Sequence, residues 1–365
     1  MSCDFGQLAK EGVRTLSPYQ PGKPIEELQR ELGLDDIVKL ASNENPLGPS
    51  QAVLDACNSN LGNLCRYPDS NGFALKAALS VELVIDTAQI VLGCGSNDVL
   101  DLIARTFLGP GSSAIYSRHA FIVYPIAVQA VGARAIVTAA KDWGHDLDAM
   151  AAAIADDTRV IFLANPNNPT GTSFTHSEFT GFMEKVPDNV VVVLDEAYFE
   201  YATNGEHPDG IALLKQYPNL IVTRTFSKAY GLAALRVGYG VANTEIIDLL
   251  NRVRAPFNIN SLALAAAEAV LTDKQYLAES RRINVLGMQQ VVEGVAALQL
   301  PYIDSAGNFL TVGFEQEALG IYQALLQQGV IVRPIGVYEM PRHLRVSIGL
   351  PEENEKFLSA LKSVL

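Results

Sequence analysis

Three short apolar runs in this chain each end in residues able to do chemistry. Leu220-Ile221-Val222 leads to Thr225-Phe226-Ser227-Lys228, and Val190 to Leu194 leads to Asp195-Glu196-Ala197-Tyr198. Ile161-Phe162-Leu163 leads to Asn165-Pro166-Asn167-Asn168-Pro169-Thr170-Gly171. In a parallel sheet, ligands bind in the crevice beyond the carboxyl ends of the strands. An amine, a carboxylate, a phenol and an amide converging there meet the needs of one cofactor above others. A lysine forms a Schiff base with an aldehyde, and a carboxylate holds a pyridine nitrogen protonated so that the ring accepts electrons. The pattern predicts pyridoxal 5'-phosphate, with Lys228 on its aldehyde carbon and Asp195 on its ring nitrogen. Asn168 and Tyr198 then face the ring oxygen. Asp195 also suits a helix N-cap, and Tyr198 a buried aromatic.

A phosphate needs cations and free N–H groups. Arg236 follows Lys228 after the small-residue linker Gly231-Leu232-Ala233-Ala234-Leu235, so a compact turn aims Arg236 and Ser227 at one anion. Gly93-Cys94-Gly95-Ser96-Asn97-Asp98 follows the run Ile90-Val91-Leu92 and precedes a helical pattern. Asp98 stands where a dinucleotide fingerprint has its third glycine, and its charge would repel a pyrophosphate. A helix N-terminus carrying Ser96 and Asn97 remains a seat for a single phosphate. The five histidines, His119, His145, His176, His207 and His343, lack metal-ligand spacing and read as packing or surface residues. No Walker A, GxSxG or HExxH sequence is present, and no metal is expected.

The elements that position these residues form an α/β pattern. Ile90-Val91-Leu92, Ala135-Ile136-Val137, Val160-Ile161-Phe162, Val190 to Val193 and Leu220-Ile221-Val222 alternate with amphipathic stretches. Continuous apolar strands separated by helices predict a mainly parallel sheet covered on both faces. The expected organisation is an N-terminal arm over 1–40, extended at Ser17 to Pro24, and a large cofactor-binding domain over 41–255. A hinge at Asn251 to Pro256 then leads to a smaller α+β domain over 256–365, with strands at 308–312, 330–332 and 344–348. The net charge of −13 and the absence of basic runs argue against nucleic-acid binding. Cys3, Cys57, Cys65 and Cys94 form no CxxC pair and read as free thiols. The start of the chain has no signal-like segment, and no apolar run is long enough to cross a membrane, so the expected location is the cytoplasm.

The order Asn-Pro-Thr-Gly (168–171), Asp-x-Ala-Tyr (195–198), Ser-Lys (227–228) and Arg236 resembles the fold-type I pyridoxal-phosphate aminotransferases. Leu16-Ser17-Pro18-Tyr19-Gln20-Pro21-Gly22-Lys23-Pro24, Leu40 to Gly48, Arg66-Tyr67-Pro68-Asp69 and Val330-Ile331-Val332-Arg333-Pro334 narrow the likeness to the histidinol-phosphate aminotransferases. The resemblance spans nearly the whole chain. It implies a fold-type I transferase whose Lys228 moves the proton between the substrate Cα and the cofactor C4′. It places Ser96, Asn97, Ser227 and Arg236 around the cofactor phosphate and Phe121 against the ring. Tyr67 would reach that phosphate from the partner subunit of a homodimer with shared sites, and Tyr19, Arg333 and Arg345 would contact substrate. The implied reaction moves an amino group between L-histidinol phosphate (imidazole acetol phosphate in its keto form) and the 2-oxoglutarate/glutamate pair. An aromatic aminotransferase acting on phenylalanine or tyrosine is the alternative. Two departures stand out: His119-Ala120 occupies the place of Pro-Thr before the stacking aromatic, and Ala234 that of a common glycine.

Overall fold

The β-branched runs assemble into a seven-stranded sheet in a computed structural model that describes residues 3–202 and 205–365. Its strands are β1 (Ile90–Gly93), β2 (Ser113–Ser117), β3 (Arg134–Thr138), β4 (Thr158–Ala164), β5 (Val191–Asp195), β6 (Leu220–Thr225) and β7 (Gly238–Ala242). They lie in the order β1–β7–β6–β5–β4–β2–β3. All pairings are parallel except those of β7, which runs antiparallel to both β1 and β6. The carboxyl ends of β4, β5 and β6 therefore open on one edge, with Ala164 paired to Asp195 and Asp195 to Thr223.

Successive side chains point to opposite faces, and both faces are covered. Val192 and Leu194 enter one core with Phe179 and Phe182, while Val193 enters the other with Val99 and Ile103. Each such fully buried side chain contributes roughly 1.5–3 kcal/mol. Strands β2 and β7 lie outside the strands expected from sequence, because serines and glycines dilute their apolar pattern. At β7 the glycines serve close packing. A Cβ on Gly240 would lie 2.8 Å from the Val99 side chain, and one on Gly238 would lie 2.4 Å from the Ser96 backbone nitrogen.

The helices that matter for the site are α1 (Ser96–Phe107), α2 (Val123–Val131), α3 (Ser261–Thr272), α4 (Lys274–Ala297), α5 (Ala318–Gln327) and α6 (Pro351–Val364). Ala263, Ala266, Ala267 and Val270 of α3 belong to the core of the large sheet. That core thus continues past the hinge expected at 251–256, since an alanine-rich helix packs closely on a sheet face, and the chain leaves it along α4. Beyond lies an antiparallel sheet of β8 (Tyr302–Ile303), β9 (Phe309–Gly313), β10 (Arg333–Pro334) and β11 (His343–Ser347), in the order β8–β9–β11–β10. Val291 of α4, Leu325 of α5 and Phe357 of α6 share its core with Val312 and Val346.

Segment 16–24 is irregular, as expected of a proline-rich arm, and residues 1 and 2 of the arm lie outside the described residues. The short strand Val38–Lys39 then pairs in parallel with Val330–Ile331. Among the described residues, no helix is long and apolar enough to cross a membrane.

Candidate active site

The three reactive strand ends meet in one cleft. Its lining includes Lys228, Asp195, Tyr198, Asn168, Ser96, Asn97, Ser227, Arg236 and Phe121, joined by Tyr19, Arg333 and Arg345. Of the residues singled out in the sequence, Tyr67 alone lies outside it. Tyr67 is 83% exposed and stacks on Phe257 with ring centroids 4.7 Å apart.

Lys228 follows β6 by three residues, and its Nζ donates to the Ser42 carbonyl at 2.9 Å. Loss of hydration pulls the amine down to about 7, helped by the nearby positive charge of Arg345. An amine so poised is neutral for a large fraction of the time near physiological pH, as a nucleophile or proton carrier requires.

Asp195 closes β5 and is buried. The Tyr124 hydroxyl donates to its Oδ2 at 2.9 Å, and the Thr223 hydroxyl donates to its Oδ1 at 3.0 Å. Burial pushes the carboxyl up to about 6, while these two hydroxyls and the Ala197 N–H pull it partly back. A buried carboxylate held by neutral donors is stabilised by any cationic N–H placed against it. Tyr198 lies within the same loop, where Asn43 Nδ2 donates to its hydroxyl at 2.9 Å and burial raises the phenol to about 12. Asn168 presents Oδ1 to Arg345 Nη1 at 2.5 Å.

One end of the cleft gathers a cation and free N–H groups, the donors a phosphate needs. Gly95, at φ +81°, turns the chain from β1 into α1, so the helix N-terminus and Ser96 face the cavity. Arg236 Nη1 donates to Ser227 Oγ at 3.2 Å, and a Cβ on Gly95 would lie 2.5 Å from Arg236 Nη2. Only glycine lets the guanidinium sit there. Asp98 turns away to accept from the Cys94 N–H and Asn258 Nδ2, both at 2.8 Å, so its charge does not oppose an anion.

The other end holds two more cations. Arg333 and Arg345 face each other across β10 and β11. Both are buried, and Arg345 Nε has no hydrogen-bond partner. Arg345 Nη2 donates to the Ala41 carbonyl and Arg333 Nη2 to the Gln20 carbonyl, each at 2.6 Å. The Tyr19 ring lies 5.6 Å from the Arg333 guanidinium, which places the N-terminal arm over this end of the cleft. Four cationic side chains and one carboxylate line the cleft, in a chain whose net charge is −13. The donor set fits pyridoxal phosphate: an amine, a carboxylate that gains from a protonated ring nitrogen, donors beside the ring oxygen and a glycine-lined phosphate seat.

Several residues of the site carried no signal of their own in the sequence. Tyr124 sits on α2, more than seventy residues from the aspartate it holds. Asn43 belongs to a segment whose likeness was visible, but its partner is not readable from sequence. Its left-handed backbone, at φ +53°, and its hydrogen bond to Ser347 Oγ are products of the fold. Tyr338 lines the cleft from the segment that follows β10.

The profile described as aminotransferase class I and II matches residues 35–361. The chain is 59% identical to histidinol-phosphate aminotransferase 2 of Pseudomonas fluorescens, with 100% of this chain and 99% of that one covered. Its identity to the protein of the same name from Pseudomonas aeruginosa is also 59%, over 99% of each. The solved histidinol-phosphate aminotransferase of Sinorhizobium meliloti, in complex with pyridoxal-5'-phosphate, superimposes with a TM-score of 0.89 at 30% identity, covering 97% of this chain and 96% of that one. An aspartate aminotransferase mutant of Thermus thermophilus shares the fold, with a TM-score of 0.85 at 20% identity over 98% and 99% of the two chains.

Proposed function

The chain belongs to the aminotransferase class I and II family, and from that premise we propose that it is a pyridoxal-phosphate-dependent histidinol-phosphate aminotransferase. It moves an amino group between L-histidinol phosphate, with imidazole acetol phosphate as the keto form, and the 2-oxoglutarate/glutamate pair in histidine biosynthesis. The observation that carries this reading is the cleft with a cationic seat at each end. Arg236 and the α1 N-terminus suit the cofactor phosphate, which leaves Arg333 and Arg345 for a second anion. Histidinol phosphate brings a phosphate and no α-carboxylate, whereas glutamate brings two carboxylates. A pair of buried arginines with planar donor forks suits both.

Pyridoxal phosphate supplies an aldehyde carbon that takes up the amino group and a ring that accepts the electrons of the broken Cα–H bond. Lys228 Nζ, its basicity lowered by burial, takes the proton from the substrate Cα. Asp195, fixed by Tyr124 and Thr223, holds a proton on the ring nitrogen. Asn168 and Tyr198 contact the ring oxygen, and Ser96, Asn97, Ser227 and Arg236 hold the phosphate. Phe121 packs on the ring, and Arg345, Arg333 and Tyr19 orient the substrate. Steady-state turnover of histidinol phosphate with 2-oxoglutarate, compared with that of phenylalanine, tests the reading. High kcat/KM for phenylalanine with poor use of histidinol phosphate would replace it with an aromatic aminotransferase.

The active site is proposed to belong to a homodimer. Tyr67 projects from its own chain, and Leu64, Tyr67, Phe73, Val81 and Val84 are all more than half exposed along one stretch of sequence. Large apolar side chains left exposed in one segment suit an interface. The four cysteines are all free thiols, which suits the reducing cytoplasm proposed as the enzyme's location.

A further inference from the structure

His119 lies in the loop between β2 and α2, and its bonds link that loop to elements on both sides of the cleft. Its side chain is buried, and Nδ1 lies 2.7 Å from the Tyr338 carbonyl oxygen. A carbonyl only accepts, so Nδ1 carries the hydrogen and donates it. The His119 carbonyl in turn accepts from Asn167 Nδ2 at 3.0 Å. Asn167 precedes Asn168, whose Oδ1 takes the Arg345 guanidinium. Two residues beyond His119, Phe121 lines the cleft from the large-sheet side, and Tyr338 lines it from the other. Ile122 packs on a cluster of Ile303, Ile335, Tyr338 and Met340.

Other contacts along this seam are weaker. Arg118 and Glu339 form an ion pair at 3.2 Å with both side chains more than half exposed, a geometry that contributes little. The His119 ring lies 5.3 Å from Trp143, which meets His343 at 4.9 Å. The buried Nδ1–H bond is one of two directional contacts of the seam, the other running from the Ile122 backbone N–H to the Tyr338 hydroxyl.

We propose that His119 is a positioning residue: its Nδ1 donor fixes segment 335–340, and with it Tyr338 and the Arg333–Arg345 seat, against the loop that carries Phe121. The inference rests on the aminotransferase reading for its kinetic readout. Asparagine places an amide N–H near the position of Nδ1, whereas glutamine reaches towards Nε2. His119→Ala is expected to raise KM for both histidinol phosphate and glutamate about tenfold, the scale of one buried donor lost. Turnover number should change less than about twofold, and affinity for pyridoxal phosphate should be unaltered. His119→Asn should recover most of the loss, and His119→Gln should not. Trp143 is the only tryptophan in the chain, so its emission reads the seam in the holoenzyme, shifting red in the alanine variant and returning in the asparagine one.

Unchanged KM and emission in His119→Ala would overturn the proposal. So would an equal loss of cofactor affinity, which would put His119 in the cofactor seat, or equal rescue by glutamine, which would reduce it to a volume filler. Where the alanine variant does not fold, the asparagine and glutamine variants decide. A wild-type enzyme inert towards histidinol phosphate but active with glutamate overturns the substrate reading alone, and the asparagine-against-glutamine comparison is then read with glutamate.

Discussion

Burial pushes both Asp195 and Lys228 towards their neutral forms. Burial raises the carboxyl to about 6 and lowers the amine to about 7. The unfolded carboxyl titrates near the ordinary aspartate value of 3.8. Between that value and 6 the folded apoprotein binds the extra proton, so this group's contribution to stability falls as pH rises through that window. At about 1.4 kcal/mol per unit, the ionised Asp195 costs the apoprotein about 3 kcal/mol above pH 6. Asp195→Asn removes the cost. Its cofactor-free form is expected to melt above cofactor-free wild type at pH 8 and close to it at pH 4. The same variant should lose most of its turnover, because an amide cannot hold a proton on the ring nitrogen. Near-normal turnover, or a Tm difference independent of pH, would refute the assignment. The residue that serves the chemistry is thus the one that strains the empty fold.

At the scale of elements, the phosphate seat depends on how closely β7 approaches the start of α1. A Cβ on Gly238 would lie 2.4 Å from the Ser96 nitrogen and 2.7 Å from the Gly95 carbonyl carbon. Both atoms are backbone and cannot swing aside. Gly238→Ala should therefore push the helix N-terminus outwards, with overpacking costing roughly 1–3 kcal/mol. Equilibrium titration with pyridoxal phosphate should show weaker binding, and binding equal to wild type would remove Ser96 from the seat. The β10–β11 pair carries Arg333 and Arg345, the proposed substrate seat. Arg345→Ala should lower kcat/KM by about one to two decades for both amino donors, on the scale of roughly 1.5–3 kcal/mol for a hydrogen bond to a charged group. A loss confined to one donor would show that the two substrates use different anion seats.

The whole molecule enters through Tyr67, which leaves its own cleft and stacks on Phe257 at the surface. A tyrosine preceding proline is biased to extended backbone, which helps it project. Two-fold dimers are the commonest assembly, and one would let Tyr67 reach the partner's cofactor phosphate. A mixed dimer of a Tyr67→Ala chain and a Lys228→Ala chain would then have one doubly defective site and one intact site. Co-expression is expected to restore activity that neither variant shows alone, to about half of wild type per isolated mixed dimer if the sites are independent. Isolated mixed dimers without recovery would show that Tyr67 serves its own chain or none.

The chemistry of this protein was legible in its sequence because reactive residues at the ends of buried parallel strands inherit a direction from the strands themselves. Lys228, Asp195 and Asn168 could be placed that way, as could the alternation that builds the large sheet, while Arg236 was placed by the short linker that follows Lys228. Strand β7 was not legible, because its glycines are chosen for backbone approach rather than apolar pattern. The end of the large-sheet core was not legible either, since an alanine-rich helix suits one packing surface as well as another. The partners that tune the site, Tyr124 on Asp195, Asn43 on Tyr198 and His119 on Tyr338, depend on contacts between residues 71, 155 and 219 positions apart. Local sequence sets which groups are present and which way their strands aim them. Only long-range packing decides which neutral donors meet a buried charge, and that decides its protonation.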